Sequence, residues 1–205
     1  MGPRSFLRRL GRGRPVVVVS GLPRSGTSMA MRMLEAGGVP VLVDDSRVAD
    51  ESNPNGYYEL ERVKRLETEV DRGWLRHARG KAVKIISFLL TYLPESLDYQ
   101  VVFMRRDLGE IIASQNRMLD LGGQPRGADD ERTRVVYEEH LAQVERFLAN
   151  RRCFSTLMVP YAAVLAHPRA EAARIGAFIG GQLDVERMAA VADPALYRQR
   201  SAGGD

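Results

Sequence analysis

The sequence predicts an α/β domain of three layers, with a mainly parallel central sheet flanked by helices. Three observations carry that prediction. Val16–Ser20 (VVVVS) is a short, uninterrupted, β-branched run, the pattern of a strand buried on both faces. A Gly/Pro loop, Gly21–Gly26, follows it and leads directly into helical spacing. Strand-like and helix-like segments then alternate along the chain, the order that builds a parallel sheet with crossover helices.

The elements read in order as follows. Thr27–Ala36 forms a helix with Met29, Ala30, Met33 and Leu34 on one face, stopped by Gly37-Gly38. Val39–Val43 reads as a second strand. Asp44–Gly56 is polar and punctuated by Asn53-Pro54-Asn55-Gly56. Helical periodicity returns over Glu59–Trp74. Ala82–Ser87 and Gln100–Met104 read as the third and fourth strands, with a helix over Leu108–Leu119 after the latter. Gly122–Asp130 is a loop and the segment expected to be most mobile. Glu131–Asn150 carries Tyr137, Leu141, Val144 and Leu148 at helical spacing. Thr156–Val159 is a fifth short strand, and Pro168–Ile179 and Val185–Val191 close the chain as helices.

Charge and cysteine content narrow the class. The net charge is +4, and residues 1–14 hold five arginines and no acid, so the positive excess belongs to a basic leader. That leader is expected to be disordered, ahead of one domain over 15–200. The leader lacks an apolar core before Pro15, and no run approaches the roughly 20 apolar residues of a membrane span. Cys153 is the sole cysteine, which excludes an intrachain disulfide and a cysteine-based metal site. A cytoplasmic protein with no nucleic-acid partner and no membrane span is the expectation. Nothing in the sequence speaks to oligomeric state.

The segment Gly21-Leu22-Pro23-Arg24-Ser25-Gly26-Thr27-Ser28 has the context of a phosphate-binding loop, because it follows a strand and opens a helix. Its spacing matches G-x4-G-K-[ST] at every position but one: Thr27 stands where the lysine belongs. Kinases and ATPases use that lysine on the phosphates during phosphoryl transfer. Here the cation inside the loop is Arg24, whose guanidinium presents forked donors to an anion.

With Pro23 to Ser28 the loop resembles that of the sulfotransferases that use 3′-phosphoadenosine 5′-phosphosulfate (PAPS), which commonly reads G-x-P-[KR]-[ST]-G-[ST]-[ST]. The resemblance implies that Arg24, Ser25, Gly26, Thr27 and Ser28 hold the 5′ end of PAPS. It also implies a 3′-phosphate site made of an arginine at a strand end and a serine eight positions later. Arg106 and Ser114 fit that spacing. Val159-Pro160-Tyr161, Leu165, Pro168 and Phe178-Ile179-Gly180 resemble the family's C-terminal stretch, which implies that Tyr161 lies near the adenine and Arg198 near the 3′-phosphate. Together these segments span roughly residues 16–200, one domain of common size. The loop region looks most like that of the tyrosylprotein and small bacterial sulfotransferases.

Sulfonate transfer is an in-line displacement that needs a base and a cation. Arg24 and Lys84 are the candidate cations. A lysine in the apolar run Ala82-Val83-Lys84-Ile85-Ile86 is costly unless paired, which argues for function, and the resemblance implies a catalytic lysine there. Cytosolic small-molecule relatives place a histidine two residues on, where this chain has Ile86. The tyrosylprotein relatives place a glutamate after the second strand. That implies Asp45 as base, with Asp44 and Glu59 as alternatives. No metal is called for, since His77, His140 and His167 lack ligand spacing. His140, mid-helix, reads as structural.

The expected acceptor is a small molecule or a peptide, whose identity the sequence does not specify. The product of the donor is 3′-phosphoadenosine 5′-phosphate (PAP). Two other functions are open to the sequence: a P-loop small-substrate kinase, with Asp107 serving magnesium, and a non-catalytic nucleotide-binding module.

Overall fold

The computed structural model describes residues 13–44, 58–123 and 129–192. The leader's residues 1–12, Asp45 and Arg198 lie outside the described residues. Four parallel strands form the sheet: β1 (Val16–Gly21), β2 (Ala82–Lys84), β3 (Tyr99–Arg105) and β4 (Phe154–Pro160), in the order β2-β1-β3-β4. The chain moves from β1 to one side of the sheet and then returns to β1's other side for β3. That reversal opens a crevice at the carboxyl ends of β1 and β3. Gly21 lies opposite Met104 there, so the segments after both strands emerge side by side.

The helices are α1 (Thr27–Ala36), α2 (Glu61–Lys64), α3 (Leu108–Leu121), α4 (Asp130–Asn150), α5 (Tyr161–Ala166), α6 (Pro168–Ile179) and α7 (Val185–Ala190), with 3-10 turns at Gly73–Ala78 and Ser87–Tyr92. Alternation along β1 divides the core. Val16 and Val18 join Val101 and Phe103 under Ile111, Leu141 and Leu148. Val17 and Val19 join Val102 and Met104 under Met33, Leu34, Ile175 and Met188 on the other face. Burying both faces explains the unbroken valine run. Gln100, also buried, hooks the end of α6 by donating from Nε2 to the carbonyls of Phe178 at 2.7 Å and Ile179 at 3.1 Å.

Three expected elements are shorter than their patterns, the first being the strand expected over Ala82–Ser87, which ends at Lys84 because the chain enters the 3-10 turn at Ser87. Val39–Val43 is not a strand but one parallel bridge, Val41 to Ala82, flanked by two backbone bonds, Ala82 to Pro40 and Leu42 to Ala82. Pro40 has no N–H and so breaks the ladder. Over Glu59–Trp74 only Glu61–Lys64 is α-helical. Its polar groups turn inward instead: Glu69 accepts from Arg62 Nε at 2.8 Å and from Trp74 Nε1 at 3.0 Å. Asp71 accepts the Gly73 amide in a side-chain turn. The short helix α5 has no counterpart in the sequence reading. Among the described residues, no helix is long and apolar enough to cross a membrane.

Candidate active site

The loop after β1 folds as a cradle. A Cβ at Gly21 would lie 2.5 Å from Ser25 Oγ and 2.6 Å from the Met104 carbonyl, so only glycine lets the chain leave the sheet at this point. Arg24 (φ 69°) and Gly26 (φ 98°) both take left-handed conformations, and Arg24 does so without glycine's freedom. Between them Ser25 turns back, its amide donating to the Leu22 carbonyl at 3.2 Å. Helix α1 opens at Thr27 with no side-chain cap and no acid in its first turn. Its first amides therefore lack partners within the helix, and its own first turn supplies no carboxylate to offset the positive end. Among the described residues Ser25 Oγ is buried without a hydrogen-bond partner. An orphaned hydroxyl beside an uncapped helix start fits a phosphate group.

A second group of polar side chains meets this cradle from β3 and α3. Arg106 donates from Nε to Glu110 Oε2 at 2.9 Å and from Nη1 to the Arg24 carbonyl at 3.1 Å. Its guanidinium lies 4.6 Å from the centre of the Tyr161 ring. The side chains of Arg106 and Glu110 are only 9% and 4% exposed. Ser114, one turn beyond Glu110, accepts from Arg24 Nε at 3.1 Å. Tyr161 packs directly on the loop, since a Cβ at Gly26 would run into its ring. Burial is the main cause that raises the Tyr161 hydroxyl's pKa, and Arg106 opposes it. Arg24, Arg106, Ser114 and Tyr161 thus lie together. Glu110 was not foreseen, although its i, i+4 relation to Arg106 was readable.

Lys84 ends β2 beside β1, paired in register with Val19 and 9% exposed. Its Nζ lies 3.9 Å from Glu59 Oε1, and Lys64 reaches the other oxygen of that carboxylate at 3.3 Å. The Glu59 carbonyl accepts the Asp44 amide. The Asp44 carboxylate accepts the Glu61 amide at 2.6 Å, which gives it a capping contact at the start of α2. Glu59 is therefore the expected acid that the described residues place beside Lys84.

A family model described as a sulfotransferase domain matches residues 14–201. The chain belongs to the sulfotransferase family. Among solved structures, this sulfotransferase is similar to retinol dehydratase in complex with androsterone and the inactive cofactor PAP, at 19% identity and a TM-score of 0.47 over 94% of this chain and 71% of that one. It is also similar to the sulfotransferase domain from the curacin biosynthetic pathway, at 16% identity and a TM-score of 0.49 over 82% and 74%. A sulfotransferase from Alicyclobacillus acidocaldarius matches at 13% identity and a TM-score of 0.46, over 91% of this chain and 100% of that one. No curated protein sequence matches the chain.

Two further polar residues of the sulfotransferase have contacts that bear on the alternative readings. Asp107, the magnesium ligand of a kinase reading, accepts the Glu110 amide at 3.0 Å and caps α3. His140 shares a 2.9 Å hydrogen bond between its Nε2 and Ser87 Oγ, and its ring stacks on Phe88 at 3.8 Å. Those contacts tie α4 to the turn after β2, a structural use of the histidine.

Proposed function

We propose that this sulfotransferase takes its sulfonate from PAPS and passes it to a hydroxyl or amine of a small-molecule or peptide acceptor. The observation that carries the reading is the junction of two anion-binding groups: the cradle of residues 21–28 and the Arg106–Ser114 group, joined by the Arg24–Ser114 hydrogen bond. A nucleotide with phosphates at both ends matches two such groups. PAPS supplies the sulfonate on a phosphate leaving group. The chain's part is to hold and polarise. The cradle amides with Ser25, Thr27 and Ser28 bind the 5′ end, and Arg106 with Ser114 binds the 3′-phosphate. Tyr161 and Arg198 serve the adenosine side.

Transfer breaks the bond from sulfur to the bridging oxygen and forms one to the acceptor atom. Lys84 and Arg24 offset the charge that develops on the bridging oxygen. The acceptor's proton passes to a carboxylate. Glu59 is favoured by its place beside Lys84, with Asp45 as the alternative drawn from the family pattern. Residues 15–200 act as one domain, and a single buried cysteine, Cys153, is consistent with a reducing cytoplasm.

Calorimetric titration with PAP, with AMP and ATP–magnesium as controls, tests the reading. Selective binding of PAP by tenfold or more, about 1.4 kcal/mol, is the expected result. Binding of ATP–magnesium without PAP would replace the reading with a kinase.

A further inference from the structure

Helix α1 keeps one stripe out of the core. Thr27, Met29, Ala30, Met31, Met33 and Leu34 are buried, whereas Ser28, Arg32 and Glu35 follow one another at i, i+4 and i+7 on the open side. The stripe starts at the cradle and runs away from it, with Arg32 about 6 Å along the helix from Ser28. Arg32 Nε is buried and has no hydrogen-bond partner among the described residues. The side chain makes no ion pair among the described residues, although Glu35 lies one turn on: Glu35 instead accepts the Tyr58 hydroxyl. The charge of Arg32 acts on two tyrosines, opposing the upward pKa shift that burial gives both Tyr161 and Tyr58. It therefore lies within electrostatic reach of the ring that packs on the cradle and the ring that neighbours Glu35.

Charge balance gives this position a purpose. A nucleoside 3′,5′-bisphosphate carries two groups of roughly −1.5 to −2 each. Arg106, the cation of the 3′ group, is already offset by Glu110 at 2.9 Å. Arg32 is a cation on the open stripe that starts at the cradle, with no acid paired to it among the described residues, and its buried, unpartnered Nε calls for an anionic or hydrogen-bond-accepting ligand. We propose that Arg32 is a binding residue for the adenosine half of the nucleotide, meeting it along the open stripe of α1 between Tyr161 and Tyr58. This rests on the PAPS reading above and adds to it a cation that contributes to nucleotide affinity rather than to transfer.

The test is titration of PAP, which lacks the sulfonate, into the wild type, Arg32→Met and Arg32→Lys. The wild type binds, Arg32→Met binds at least tenfold more weakly, and Arg32→Lys falls between, because lysine keeps the charge and loses the fork. The melting temperature without nucleotide stays near that of the wild type, since the stripe is open and methionine is a good helix former. Arg32→Gln takes the place of Arg32→Met should that variant fail to fold. Affinity for PAP within twofold of wild type in the methionine or glutamine variant overturns the role of Arg32 and leaves the PAPS reading standing. A wild type that does not bind PAP removes both.

Discussion

Arg24 and Ser114 lie 90 residues apart in the chain, yet Arg24 Nε donates to Ser114 Oγ at 3.1 Å. The bond joins the loop after β1 to the helix after β3 at the crevice where the strand order reverses. Every function assigned to the crevice depends on that closeness, because a nucleotide bound by both groups must span them.

Ser114→Ala removes a hydroxyl from the 3′ group. Affinity for PAP is expected to fall about tenfold, the scale of one hydrogen bond to a charged group. Affinity for AMP, which lacks the 3′-phosphate, changes little. Parallel calorimetric titrations of both nucleotides read the difference, and an equal loss for both would count against the 3′ assignment.

Glu110→Gln leaves the Arg106 guanidinium buried with its charge no longer offset. Breaking a buried pair by removing one partner costs about 3–5 kcal/mol. Denaturant unfolding of the variant should show a loss of that order. A change under about 1 kcal/mol would mean that the pair is solvated in solution.

Gly26→Ala combines a φ of 98° with a Cβ driven into the Tyr161 ring. The variant should lose more than about 1 kcal/mol of stability, the scale at which an incompatible backbone outweighs the entropic benefit of alanine. It should also lose PAP binding, because the cradle cannot keep its shape. Normal binding would contradict the cradle geometry.

Lys84→Met and Glu59→Gln separate transfer from binding. Each should lower transfer from PAPS by about a hundredfold or more, the scale of acid–base and electrostatic contributions. PAP affinity should move much less. If Asp45→Asn abolishes transfer while Glu59→Gln does not, the base is Asp45.

Burial lowers the pKa of His140 below its ordinary value of 6.5, so the folded state favours the neutral ring. Between that depressed value and 6.5 the unfolded chain holds more protons than the folded one. The stabilising share of His140 is therefore complete above pH 6.5 and is lost as the pH falls through the depressed value. Unfolding free energies measured from pH 7.5 to 5 should decline more steeply for the wild type than for His140→Phe. Parallel slopes would remove the contribution.

Much of the fold was legible because its signals were local. The valine run of β1, the Gly21–Gly26 loop and the spacing of α1, α3, α4 and α6 each arise within a few residues. The misreadings came from features inside the segments that apolar spacing does not weigh. Val39–Val43 has strand composition, but Pro40 denies it a ladder. The Glu59–Trp74 pattern has helical spacing, but its polar side chains are used around Glu69 and Trp74. In the site, the loop around Arg24 and the Arg106–Ser114 pair stood out in the sequence through their resemblance to family motifs. Glu110 and Arg32 carried only i, i+4 relations to Arg106 and Ser28, and their meaning depends on burial and on neighbours from other elements, which spacing does not encode.

A crystal structure of the PAP complex tests the central claim most directly. The account predicts the 5′-phosphate within hydrogen-bond distance of the amides of residues 25–28 and the 3′-phosphate held between Arg106 and Ser114. A nucleotide bound with the two ends exchanged, or away from the β1–β3 crevice, would contradict it.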